Sequence, residues 1–200
     1  MSEITSVCVY CGSSPGRNPV YAESARQFGA EIANHGMRLT YGGGTKGIMG
    51  AVAEGALDNG GNVLGVIPKF LLGKEAAERR TGPRLELIVT KDMHARKHQL
   101  FENADAFVAL PGGIGTVEEI VEVMTWAQLG RHRKPMVFAN ILGFWDPMLA
   151  MIAHMQAEGF IHTGHLVQPL VIADVEEIIP AIIACAKTGA GGNEEIIGKL

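Results

Sequence analysis

Short apolar runs alternate with longer segments of helical periodicity along nearly the whole chain. Ile4 to Tyr10, Met37 to Tyr41, Asn62 to Ile67, Leu85 to Val89, Asp105 to Leu110, Met136 to Asn140 and Leu170 to Ala173 are runs of strand length. The run Asp105 to Leu110, D-A-F-V-A-L, has the continuous apolar character of a central strand covered on both faces. Between the runs lie helical stretches: Pro19 to His35, with Ala22, Ala25, Phe28, Gly29 and Ile32 on one stripe, then Ile48 to Asn59, Asp92 to Asn103, Thr116 to Leu129, Phe144 to Glu158 and Val175 to Lys187. Gly36 stops the first, and Asp92 is placed to cap the third. The repeating β-α-β pattern predicts an α/β fold: a doubly wound, mainly parallel seven-stranded sheet with helices on both faces. One domain over residues 1–187 accommodates it, with 188–200 (Thr-Gly-Ala-Gly-Gly-Asn and beyond) as a flexible tail. Pro68 to Pro83, charged and irregular, reads as a long loop with one helical turn.

In such sheets a ligand lies beyond the carboxyl ends of the strands, where the winding direction switches. Three Gly-rich turns follow predicted strands and should converge there: Gly12-Ser13-Ser14, Gly42-Gly43-Gly44 and Gly112-Gly113-Ile114-Gly115. The third organises the chain. Three glycines in four positions expose consecutive N–H groups, and the positive end of the following helix points into the same space, an arrangement that holds phosphate. A plainer account of Thr116-x-x-Glu119 is a capping box, with Thr116 as N-cap. A mononucleotide suits the edge formed by the three turns. No G-x-x-x-x-G-K-[ST] motif occurs, and the second strand ends in Tyr41-Gly42 where a dinucleotide fold would carry an acid, so ATPase and NAD oxidoreductase chemistry are disfavoured.

Composition narrows the partners. A chain of 200 residues, 47% hydrophobic with net charge -4, can bury a full core and carries no basic excess for nucleic acid. Arg131-His132-Arg133-Lys134 reads as a solvated loop. No apolar run approaches the ~18 residues of a membrane span, and no basic n-region precedes Val7, so a cytoplasmic location is expected. Three cysteines are read as thiols, because Cys8 and Cys11, three apart on a strand, face opposite ways. His94 and His98 lie i,i+4 without a third ligand of matching spacing, so neither a metal nor a cofactor is expected.

Met93-His94-x-Arg96-Lys97, then Pro111-Gly112-Gly113-x-Gly115-Thr116-x-x-Glu119, then Thr125-Trp126-Ala127-Gln128-Leu129-Gly130 resemble the LOG family, the cytokinin riboside 5'-monophosphate phosphoribohydrolases. Cys11-Gly12-Ser13-Ser14 and Gly42-Gly43-Gly44-x-x-Gly47 match as well, and the resemblance runs from about Val7 to Ile183. It implies a Rossmann-like homodimer that hydrolyses the N-glycosidic bond of an adenine-type nucleoside 5'-monophosphate, AMP or N6-prenylated AMP, to free base and ribose 5-phosphate. It implies Arg96 and Glu119 as the catalytic pair. Substrate binding then falls to Ser13, Ser14, Gly43, Gly44, Met93, Lys97, Gly112, Gly113, Ile114, Gly115, Thr116, Glu118 and Thr125, with Glu78 in the long loop. Lys74 to Pro83 departs from the family pattern. Relatives often carry a lysine decarboxylase label, but no motif here points to pyridoxal phosphate.

The residues fit that chemistry on their own terms. Breaking C1'–N9 builds positive charge on the ribosyl ring and negative charge on the purine, while the 5'-phosphate serves as a handle. Glu119, near Arg96 and a helix N-terminus, should be ionised at pH 7, a base or cation stabiliser rather than a proton donor. The class alternative is a non-catalytic nucleotide or cofactor carrier on the same fold, like the molybdenum cofactor carriers that resemble this superfamily; a carrier needs the glycines but not a carboxylate beside the ribose.

Overall fold

The computed structural model describes residues 3–73, 82–161 and 169–188. Its frame is one sheet of seven strands: β1 (Ser6–Tyr10), β2 (Arg38–Tyr41), β3 (Val63–Pro68), β4 (Leu85–Thr90), β5 (Ala106–Ala109), β6 (Met136–Ala139) and β7 (Leu170–Ile172). All pair in parallel, in the order β4-β3-β2-β1-β5-β6-β7. The chain therefore winds outward from β1 in one direction and from β5 in the other, and the switch lies between those two neighbours, where Val7 pairs with Ala106 and Tyr10 with Ala109.

Among the described residues six α-helices cover the two faces: α1 (Val20–Asn34), α2 (Gly47–Asp58), α3 (Met93–Glu102), α4 (Ile114–Gln128), α5 (Asp146–Ala157) and α6 (Ile178–Thr188). Alternation along β1 sorts the core. Val7, Val9 and Cys11 face α1, α2 and α6, packing with Phe28, Ile32, Val52 and Ile182. Cys8 and Tyr10 face the other layer, with Leu100, Ile120, Val123 and Trp145. Cys8 and Cys11 thus sit on opposite faces as free thiols.

Element boundaries match the periodicity to within a few residues, and two starts differ for a physical reason. α4 begins at Ile114, two residues before Thr116, because the extended backbone of Gly113 (φ −96, ψ −159) serves as N-cap and no side chain caps it. Thr116 is therefore the third helical residue, and the capping box is not formed. The last helix is likewise divided: Asp174 accepts from Glu176 N at 3.0 Å and starts a 3-10 turn, Val175–Glu177, before α6. Of the long loop, Lys69–Leu71 forms a 3-10 turn; residues 74–81, including Glu78, and the expected tail from 189 lie outside the described residues. Among the described residues no helix is long and apolar enough to cross a membrane, and no group of three or more His, Cys, Asp or Glu is placed to hold a metal.

Candidate active site

The two loops at the switch point touch. Gly12 N donates to Pro111 O at 3.1 Å, tying the turn after β1 to the turn after β5. Gly112 is required at that seam: a Cβ there would overlap Thr116 Oγ1 and come within 2.8 Å of Gly12 N. Gly113 and Gly115 are different. A Cβ at either would meet no protein atom within 4 Å, and neither has a positive φ, so the fold itself does not ask for glycine at these positions. Both face open space. The N–H groups of Ile114, Gly115 and Thr116 belong to the first turn of α4, where no intrahelical acceptor exists, and they carry the positive end of the helix dipole.

That space is a cavity of about 370 Å³ whose walls come from several elements: Gly12 and Ser13 after β1, Met49 of α2, Leu71 after β3, Met93 and Arg96 of α3, and Gly113 to Thr116, Glu118 and Glu119 of α4. Asp92 caps α3 as the sequence predicts, accepting from Ala95 N at 2.8 Å, which fixes the turn that carries Arg96. Arg96 Nε donates to Val66 O of β3 at 3.3 Å, and Arg96 Nη1 lies 3.0 Å from Glu119 Oε1. The two side chains are only 6% and 7% exposed. A buried ion pair contributes little net stability, because desolvating two charges offsets their attraction. One that forms a cavity wall is therefore better explained by what enters the cavity.

Cys11 also lines this cavity, but it is held as a thiol: burial pushes its pKa well up, and the nearby Glu119 carboxylate pushes it further. A buried thiol with a raised pKa is a poor nucleophile. Among the described residues, no lysine lines the cavity. A second cleft of about 230 Å³ adjoins the first, sharing Gly12, Ser13 and Gly113 and adding Ser14, Tyr21, Ile48 and Phe144.

Comparison with known proteins agrees with the motifs. Residues 49–182 match a family model described as "possible lysine decarboxylase". A cytokinin riboside 5'-monophosphate phosphoribohydrolase of Rhodococcoides fascians is 46% identical over 178 residues, covering 88% of this chain and 88% of that one. The cytokinin riboside 5'-monophosphate phosphoribohydrolase LOG of Oryza sativa subsp. japonica is 46% identical over 160 residues; the match covers 80% of this chain and 65% of the rice protein. The chain belongs to the LOG family.

Solved structures similar to this LOG-family chain share its architecture. The molybdenum cofactor binding protein of Rippkaea orientalis superposes with a TM-score of 0.66 at 20% identity, over 93% of this chain and 99% of that one. The molybdenum cofactor carrier protein of Chlamydomonas reinhardtii gives 0.65 at 24%, again over 93% and 99%. At these identities the likeness is one of fold.

Of the site residues predicted from sequence, Ser13, Met93, Arg96, Gly113, Ile114, Gly115, Thr116, Glu118 and Glu119 line the larger cavity. Ser14 and Gly112 line the adjoining cleft. Lys97 lies between α3 and α4, its Nζ 2.7 Å from Glu118 and 3.0 Å from Glu122; hydrogen bonding to Glu118 raises its pKa, with Glu122 adding to the effect and partial burial opposing it. Thr125, about three turns along α4, is exposed and donates to Val121 O. Gly43 and Gly44 stand behind the wall, Gly43 against Ile67 and Leu87, Gly44 against Met49. Glu78 lies outside the described residues. Sequence reasoning missed Met49, Leu71 and the placement of Gly42 beside Arg96. For the first two the available signal was position: Leu71 lies three residues beyond the carboxyl end of β3, and Met49 lies in the first turn of the helix that follows β2.

Proposed function

We propose that this LOG-family protein hydrolyses the N-glycosidic bond of an adenine-type nucleoside 5'-monophosphate, AMP or N6-prenylated AMP, releasing free base and ribose 5-phosphate. The observation that carries the reading is the buried Arg96–Glu119 pair set in the same cavity wall as the open first turn of α4. The first-turn N–H groups suit a phosphate. Glu119, as a carboxylate, suits the positive charge that develops on the ribosyl ring and can orient the attacking water. The Arg96 guanidinium holds Glu119 in place and can steady the departing base. Water supplies a hydroxyl to C1', the electron pair of the C1'–N9 bond leaves with the purine, and the remaining proton of that water goes to the purine. Met49, Leu71 and Met93 offer apolar surface for a flat base.

Decarboxylation of lysine on pyridoxal phosphate fits these residues poorly. That chemistry requires a lysine in the cavity with a depressed pKa, whereas Lys97 is ion-paired outside the lining and its pKa is raised. The reading extends to assembly and location: a homodimer in the cytoplasm. Apolar side chains exposed on α4 and at its C-cap, Val121 at 37% and Leu129 at 65%, support a face covered by a second copy.

The test is direct. Purified protein is incubated with AMP and with N6-isopentenyl-AMP, and products are separated by chromatography. Free base with an equal amount of ribose 5-phosphate is expected. Nucleotide bound and recovered intact would leave the chain a carrier.

A further inference from the structure

Arg96 is gripped by three elements. Two grips are polar, from Nε to Val66 O of β3 and from Nη1 to Glu119 of α4. The third is an absence of atoms: Nη2 lies against Gly42, in the turn after β2, and a Cβ built on Gly42 would overlap it, with Met49 Sδ next at 3.3 Å. Gly42 does not have the left-handed backbone that obliges its neighbour Gly43 (φ 76) to be glycine. Alanine is therefore allowed by the backbone at 42, and the atom it collides with is the tip of one side chain. The fold can absorb such a methyl by moving the guanidinium, with Met49 Sδ giving by a few tenths of an ångström.

We infer that Gly42 is a positioning residue for the hydrolytic site, its missing side chain leaving the volume that Arg96 Nη2 fills. The inference rests on the reading of Arg96 and Glu119 as the reacting pair. A guanidinium is a rigid planar fork, so displacing Nη2 swings Nε and Nη1 with it and loosens both polar grips together. Misplacement of a reacting group by about 1 Å costs on the order of 10²-fold in rate.

The experiment compares Gly42→Ala with wild type in three measurements. Turnover of AMP should fall by roughly 10- to 100-fold, with KM changed by less than about threefold and the melting temperature within about 2 °C, as expected when fold and bulk binding survive. The same substitution in an Arg96→Lys background, where Nη2 no longer exists, should lower turnover by no more than about twofold, since coupled positions are not additive. A crystal structure of Gly42→Ala should have the guanidinium moved off Glu119. Wild-type turnover retained by Gly42→Ala, equal losses in both backgrounds, or an unmoved guanidinium would each overturn the inference. If Arg96→Lys turns over too slowly to assay, the crystal structure decides. It also decides if the wild-type protein releases no base, an outcome that sinks the hydrolase reading and leaves the steric relation of Gly42 to Arg96 to be judged separately.

Discussion

Replacing Gly115 by alanine should move stability and activity in opposite directions. Gly115 is the second residue of α4, and a Cβ there meets no protein atom within 4 Å. Alanine is favoured over glycine within a helix by about 0.5 to 1 kcal/mol. For a chain of this length that is a rise of roughly 1 to 4 °C in melting temperature. The same methyl would stand in the cavity where the 5'-phosphate is expected to accept from the first-turn N–H groups. Losing one charge-assisted hydrogen bond costs about 1.5 to 3 kcal/mol, or about one to two orders of magnitude in kcat/KM for AMP at ~1.4 kcal/mol per decade. Adenosine has no phosphate to displace, so its own low kcat/KM should change by less than about twofold. Thermal melts and initial rates of base release from both substrates are the assay. Equal losses on AMP and adenosine would mean that the glycine serves the turn alone. Undiminished AMP hydrolysis would mean that no phosphate sits there.

Further outcomes follow from other contacts. Glu119→Gln keeps the side-chain shape but removes the charge facing Arg96, so turnover per folded molecule should drop by about 10² or more; full turnover with a lowered melting temperature would assign Glu119 to stability. Light scattering at micromolar concentration should give twice the 21.3 kDa chain mass, and Val121→Glu on that face of α4 should shift it toward monomer; a wild-type monomer refutes the dimer. His132 should make the protein less stable in mild acid. Burial lowers its pKa below 6.5, Lys134 adds to the shift and the hydrogen bond to Val123 O opposes it. Its Nδ1 accepts from Lys134 N at 3.1 Å, which requires the unprotonated nitrogen. A depressed folded pKa gives a contribution that is full above about 6.5 and lost as pH falls through the folded value. Melting temperature should therefore fall below pH 6.5, and less so in His132→Gln; parallel curves for the two proteins contradict this.

The inner strands β1, β3, β5 and β6 were legible because they are short, mostly apolar runs buried along their whole length, a pattern that double burial imposes on parallel strands. The Arg96–Glu119 pair was legible only through the family motifs. Nothing in spacing alone says that residues 23 apart on different helices will meet at 3.0 Å. The start of α4 was misjudged because Thr116 has the chemistry of an N-cap, whereas the extended backbone of Gly113 takes that place without a side chain. Gly42-Gly43-Gly44 read as one Gly-rich turn at the ligand edge, with Gly43 and Gly44 as its binding residues. In three dimensions they have separate neighbours, Arg96 for the first, Ile67 and Leu87 for the second and Met49 for the third, a distinction that depends on packing between elements distant in sequence.

The seam between β1 and β5 also governs when the site comes into being. Its strands pair across about a hundred residues of chain, Val7 with Ala106, and its lower end is fastened by Asp105, whose Oδ2 accepts from the backbone N–H and hydroxyl groups of both Thr5 and Ser6 at 2.9 to 3.0 Å. Contacts so remote in sequence are made late, because closing a long loop must precede any gain from it. A nascent chain that has emerged as far as β4 holds neither Arg96 nor Glu119. When α3 emerges, the arginine still lacks its carboxylate until β5 has docked beside β1 and α4 has followed. Ribosomal synthesis should therefore yield no activity in fragments ending before α4, even where β1 and β5 have already paired.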